Sequence, residues 1–398
     1  MKGLVFNMFD YKETLDKLVQ EVIESGEAVG ANLLILHKGE EIYHNTFGFA
    51  DRENNLPIKR DTIFRMFSMT KPVTAAAVMI LVERGVLDVW DPVSKYIKSF
   101  ENQKVLGTNG VLVPTNREIT IWDCLNMTSE IPYPDTNIPA GKLMDDLFVS
   151  IKEKLNNGIP TSTLEYCDLI GKIPLAFQPG TQWLYGLSAD ILGGIIEIIT
   201  GKKYSDFLKE EMFVPLGMSD TGFYVPKDKI HRFAMNYYYD EKQKKLLPYL
   251  DQFLGLEGYQ ESVVFESGGA GLVSTIDDYS KFAQMMIHGG NYNGKQILGH
   301  KTIEFMTKNY IYPNQMEAYA SGNNLGYGYG CLMRILQDQG VAGSSGNVGE
   351  FGWDGWTGNY VSMDPVDDVI ILYFIQRAGS GTTPVVRKIR NVTYGYLK

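Results

Sequence analysis

The sequence predicts an α/β protein of the α+β kind, in which one antiparallel sheet is joined to an all-helical lobe. Three observations predict it. Strand-like segments cluster toward both ends of the 398-residue chain, the long middle reads as helical, and no repeat or flexible linker divides them. Strands from opposite ends then have to pair in a single sheet. The sheet domain is expected to comprise residues 1–66 and 265–398, the mainly helical domain 67–264, and the site to lie in the cleft between them.

Residues 11–24 place Leu15, Leu18, Val19 and Val22 at helical spacing. Residues 30–37 read as a strand, 38–40 as a turn and 41–47 as its hairpin partner. Residues 72–84, PVTAAAVMILVER, predict a helix that tolerates Pro72 in its first turn and stops at Gly85. The apolar pattern stays mostly helical to about residue 215 and includes one apolar helix over 190–200 that ends at Gly201. Residues 231–266, rich in tyrosine and charge, read as irregular or as short strands. Ser274 or Thr275 caps the next helix, with Asp277 and Asp278 in its first turn. Strand patterns return at 328–335, 359–363 and 369–375, and a helix with basic residues over about 383–396 closes the chain.

The bulk properties exclude several classes. Hydrophobic residues are 44% and charged residues 21%, an ordinary globular balance with enough apolar mass for a large core. The net charge of −10 disfavours a nucleic-acid partner, which needs a basic face. No segment approaches the roughly 18 to 20 apolar residues of a membrane span. The N-terminal apolar run is broken by Asn7 and Asp10, too soon for a signal-peptide core. Cys124, Cys167 and Cys331 are odd in number and far apart, which points to a reduced, cytoplasmic setting rather than a disulfide framework. There is no HExxH, the five histidines are scattered, and neither a Gly-x-Ser-x-Gly elbow nor a nucleotide-binding glycine pattern occurs. Metal and cofactor are both expected to be absent.

Ser68-Met69-Thr70-Lys71 carries the chemistry. Serine and lysine three apart at a helix start share one face, so the amine can take or relay the hydroxyl proton. The pattern alone is weak, because a capping serine and a solvated lysine would look the same. Context strengthens it: the helix behind it is apolar and must be buried, so Lys71 has to be paired or neutralised. Tyr185 lies in Gln178-Pro-Gly-Thr-Gln-Trp-Leu-Tyr185-Gly-Leu-Ser188, a loop entering the apolar helix. A tyrosine acts as base only if a cation lowers its pKa, and Lys71 is the candidate. The third element is Gly352-Trp353-Asp354-Gly355-Trp356-Thr357-Gly358-Asn359-Tyr360. Glycines there allow close backbone approach, and the Trp356 amide beside that of Ser68 would make an oxyanion hole. Core packing remains the alternative for Tyr185, and a glycine-rich edge or bulge for the third element.

In this order and spacing the three elements resemble the serine β-lactamase and penicillin-binding protein superfamily. They resemble most the class C β-lactamases, the family VIII carboxylesterases and the lovastatin-type acyltransferases. Asp91-Pro-Val-Ser-Lys-Tyr, Pro215-Leu-Gly-Met-Ser-Asp-Thr, Gly268-Gly-Ala-Gly-Leu-Val-Ser-Thr and Gly289-Gly-Asn-Tyr-Asn-Gly-Lys extend the likeness over roughly residues 20–390. The resemblance implies a β-lactamase/transpeptidase-like fold with helices on both faces of the sheet. It makes Ser68 the acylated nucleophile, Lys71 and Tyr185 the proton-handling pair, and the Ser68 and Trp356 amides the oxyanion hole.

The departures bear on substrate. The lysine that grips the substrate carboxylate in β-lactamases is Trp353 here, followed by the acidic Asp354. Losing such a charge-assisted contact costs on the order of 1.5 to 3 kcal/mol. The Asn that follows the tyrosine by two is Leu187, and the His-Thr-Ser-Gly loop reads Asn126-Met-Thr-Ser129-Glu. Trp353, Asp354, Gly355, Leu187 and Tyr133 are the expected substrate contacts, with Tyr133, Trp183, Trp353 and Trp356 as candidates for the acyl pocket. The partner is then a small-molecule acyl compound, with no nucleic acid and no membrane. A carboxylesterase acting on an uncharged ester stands first. Acyl transfer to a non-water acceptor, a D-amino amidase or peptidase, a β-lactamase, and a non-catalytic binding or sensor protein of the same fold remain open.

Overall fold

A computed structural model describes residues 10–397, apart from 108, 252, 253, 257, 260–262 and 321. The apolar run at the N-terminus, over residues 1–9, lies outside the described residues.

One eight-stranded antiparallel sheet joins the two ends of the chain. Its strands run in the order Tyr327–Gly330, Met333–Leu336, Phe351–Asp354, Tyr360–Asp364, Val369–Ile375, Gly30–His37, Glu40–Asp51 and Leu56–Pro57. The N-terminal strand pairs directly with the last one, Ala31 opposite Ile375 and His37 opposite Val369. Successive side chains of a strand point to opposite faces, and here both faces are covered. Val369, Ile371, Tyr373 and Ile375 pack under the terminal helices Tyr11–Glu24 and Pro384–Tyr396. Ile370, Leu372 and Phe374 enter the larger core that also holds Thr70–Glu83 and Ile276–Ile287. The sheet is therefore a layer between helices, and the fold is β-lactamase/transpeptidase-like as the motifs imply.

Local signals explain the element ends. Asp10 caps the first helix by accepting from the amides of Lys12 and Glu13. Thr275, rather than Ser274, caps Ile276–Ile287, accepting from the Asp278 amide. Ser188–Thr200 stops at Gly201 in the left-handed region, φ +66°. Among the described residues no helix is long and apolar enough to cross a membrane, and the three cysteines are free and buried.

One strand expectation needs correction. Residues 328–335 do not form one strand: they are split into a hairpin at Cys331 and Leu332, both at positive φ (+43° and +63°). No turn-favouring residue marks the site. The turn is held from outside, because Cys331 N donates to Asn126 Oδ1 and Leu332 N to Leu125 O. Both side chains are fully buried.

Candidate active site

Three chain segments converge on Ser68. The short strand Phe64–Arg65 pairs with Val273–Ser274, and Met66 N continues the pairing to Leu272 O. Phe67 then turns the chain at φ +45°, an uncommon conformation for a bulky residue and one that needs support from its surroundings. That support is aromatic: its ring meets Trp356 edge-on at 5.2 Å. A short 3-10 turn, Phe67–Met69, leads into the helix Thr70–Glu83, so Ser68 stands half-buried at the helix start with Lys71 one turn on.

The Lys71 side chain is fully buried, and its Nζ donates to Ser68 Oγ at 3.1 Å, Tyr133 OH at 3.1 Å and Gly269 O at 2.9 Å. Burial pushes its pKa down to about 8, although Asp190 and Asp354 act to hold it up. A lysine near that value is a substantial fraction neutral at mildly alkaline pH. The neutral amine has two N–H groups and one lone pair. The Gly269 carbonyl and the Tyr133 oxygen can take the two hydrogens, which leaves the lone pair for the Ser68 proton.

The Tyr185 hydroxyl hydrogen-bonds Ser68 and accepts from Trp353 Nε1 at 3.0 Å. Its ring lies 4.7 Å from Lys71 Nζ. Burial raises its pKa above the ordinary phenol value, and the bonds from Ser68 and Trp353 offset that only in part. The Tyr133 hydroxyl is likewise pushed well up by burial. Neither phenol is an anion at rest, so Lys71 is the group here that titrates near neutrality. A bridge between Pro132 and Gly186 aligns the two tyrosine loops, whose rings meet at 5.6 Å.

The glycine-rich element closes the third side. Its strand, Phe351–Asp354, lies inside the sheet, but its pairing with Met333–Leu336 ends at Gly352, so the segment beyond continues toward Ser68. Gly355 is required there: a Cβ would stand 2.6 Å from the Met66 carbonyl oxygen. This contact brings Trp356 beside the nucleophile segment. A cavity of about 340 Å³ opens at Ser68, lined by Phe67, Ser68, Tyr133, Pro134, Tyr185, Leu254, Ala270 and Trp356. None of these described lining residues is charged. A larger hollow of about 570 Å³, lined in part by Phe213, Met218, Tyr224 and Lys229, holds none of Ser68, Lys71, Tyr185 and Trp356. The smaller one, next to the reactive groups, is the relevant one.

The structure thus brings Ser68, Lys71, Tyr185, Tyr133 and Trp356 together. It places four of the expected substrate contacts elsewhere. Trp353 is buried behind Tyr185 and reaches it through its indole N–H rather than lining the cavity. Asp354 turns away and accepts from Thr382 Oγ1 at 2.8 Å, acting on Lys71 only through its charge. Gly355 is a backbone contact to Met66. Leu187 is fully buried in the core at the start of Ser188–Thr200, because an apolar side chain there gains more from packing than from the cleft. Trp183 also stays off the lining and stacks 5.8 Å from Tyr185. Phe67, Pro134 and Leu254 carried no motif signal. Gly269 and Ala270 lay in a segment singled out only for its likeness to relatives.

Comparison with known proteins places the chain among relatives of the same fold. Protein Rv1367c of Mycobacterium tuberculosis is 29% identical over 90% of this chain and 88% of its own. Esterase EstB of Burkholderia gladioli is 27% identical over 96% of this chain and 94% of its own. The structure of EstCE1, described as a hydrolase with promiscuous acyltransferase activity, superposes with a TM-score of 0.80 at 25% identity, covering 97% of this chain and 98% of that one. The family model described as Beta-lactamase matches residues 15–392, so the chain belongs to the β-lactamase family.

Proposed function

We propose that the protein is a serine carboxylesterase acting on small, uncharged esters through an acyl-enzyme on Ser68. One observation carries this reading: the Ser68 hydroxyl, bonded to a lysine of lowered pKa, sits at the mouth of a cavity with no charged residue in its described lining. Such a pocket favours an apolar acyl group and offers no cation for a carboxylate.

In the proposed cycle the Ser68 proton passes to neutral Lys71 as Oγ bonds to the ester carbon. The Ser68 and Trp356 amides hold the oxyanion. The bond to the alcohol oxygen breaks, and Tyr185 hands that oxygen its proton, replenished from Lys71. Water then repeats the sequence in reverse on the acyl-enzyme. The largely apolar lining of the cavity and the likeness to EstCE1 also favour transfer of the acyl group to an added alcohol as a secondary outcome.

The test is turnover of p-nitrophenyl butyrate by wild type and Ser68→Ala, with intact-mass detection of a fluorophosphonate adduct. Loss of both turnover and adduct in Ser68→Ala is expected. Equal, near-zero turnover in the two proteins would overturn the enzyme reading, and nitrocefin hydrolysis as fast as ester cleavage would overturn the ester preference.

A further inference from the structure

Asp190 lies on Ser188–Thr200, five residues beyond Tyr185, and is buried. Its Oδ1 accepts from the Ser267 hydroxyl and, at 3.1 Å, from Gly269 N. The carbonyl of the same Gly269 accepts from Lys71 Nζ at 2.9 Å. Gly269 is thus clasped from both sides, its N–H by the acid and its C=O by the amine. Only glycine fits, because a Cβ would fall 2.7 Å from Asp190 Oδ2. Ala270, the next residue, lines the Ser68 cavity.

We propose that Asp190 is a positioning residue for the Ser68 reaction: it fixes the Gly269 carbonyl on Lys71 and supplies the buried negative charge that balances the protonated amine between half-reactions. The proposal rests on the reading of Lys71 as the base. Burial raises the pKa of Asp190, and the Ser267 bond, the Lys71 charge and the Gly269 amide act to hold the carboxyl ionised. The other groups facing Asp190 are Tyr133, Tyr166, Tyr185, Tyr204 and Cys167, all raised by burial and uncharged near neutrality. Asp354 is the second acid acting on Lys71. Without Asp190 the protonated amine would lose a balancing charge, and its proton would leave at lower pH.

The experiment is the rate of fluorophosphonate labelling of Ser68 against pH. In Asp190→Asn the acid limb is expected to move down by about one pH unit, with a slower plateau rate. In Ser267→Ala, which removes a hydrogen bond but keeps the charge, the limb should stay in place. If Asp190→Asn does not fold, Asp190→Ser is the second charge-free variant, with the same downward move expected. An unmoved limb in a folded charge-free variant, judged by its thermal unfolding, overturns this proposal. Failure of the base reading looks different: wild type itself would then show no acid limb that depends on Lys71.

Discussion

The indole N–H of Trp353 donates to the Tyr185 hydroxyl across 3.0 Å, so a neutral donor stands behind the phenol. A neutral donor gives a weaker bond than a charged one, and burial keeps the Tyr185 phenol protonated, as the proposed relay requires. Trp353→Phe keeps an aromatic ring against Tyr185 and Tyr329 but loses the donor. Steady-state kinetics on p-nitrophenyl butyrate should show kcat falling about 10- to 100-fold with KM nearly unchanged, the loss of roughly 1.5 to 3 kcal/mol from the transition state.

The pH dependence of kcat/KM follows from Lys71. Burial lowers its pKa to about 8, and the proposed mechanism uses the neutral form as base. Activity should therefore rise from pH 6 to 9 along an acid limb centred near 8. A rate profile flat across that range would remove Lys71 from the base role.

Lys71→Met should abolish turnover and remove the alkaline rise in stability that the buried amine gives the wild type. The folded pKa lies below the unfolded one, so the folded chain binds fewer protons between about pH 8 and 10.5. Wild-type stability rises with pH through that window, and the full desolvation penalty applies below it. Urea unfolding across pH 7 to 10.5 should show the wild type gaining stability as pH rises and Lys71→Met lacking that gain.

Glu130 gives the opposite sign. It is fully buried at φ +65°; its Oε1 accepts from Gln182 N, its Oε2 has no partner among the described residues, and burial raises its pKa to about 8. The folded chain therefore holds its proton between pH 4.5 and 8 while the unfolded chain releases it. This contribution to stability falls as pH rises through that window. Glu130→Gln should flatten that slope and be more stable than wild type above pH 8 by on the order of 2 kcal/mol. Unfolding free energies across pH 5 to 9 check it.

The sequence showed what repeats along a line. The helix behind Ser68, a cap at Ser274 or Thr275, the stop at Gly201 and the strands of both ends follow from local pattern. The grouping of Ser68, Lys71 and Tyr185 followed from motif order. Other features depended on contacts between distant segments, which a linear pattern does not carry. The Cys331–Leu332 turn is fixed by Leu125 and Asn126, more than 200 residues earlier. Leu187 and Trp353 face inward because their neighbours leave apolar space there, and Gly269 matters through Asp190 and Lys71, each reached from a different helix.

The pairing of Ala31 with Ile375 also has a consequence on the ribosome. The hairpin of residues 30–51 is made early, but the strand that covers its inner edge emerges last. At translation rates of about 5 to 20 residues per second, that edge stays open for tens of seconds. An open apolar edge is a template for pairing with other chains. The nascent polypeptide, more than the finished molecule, is therefore the species that chaperones have to shield, and cooler expression should raise the recovered yield.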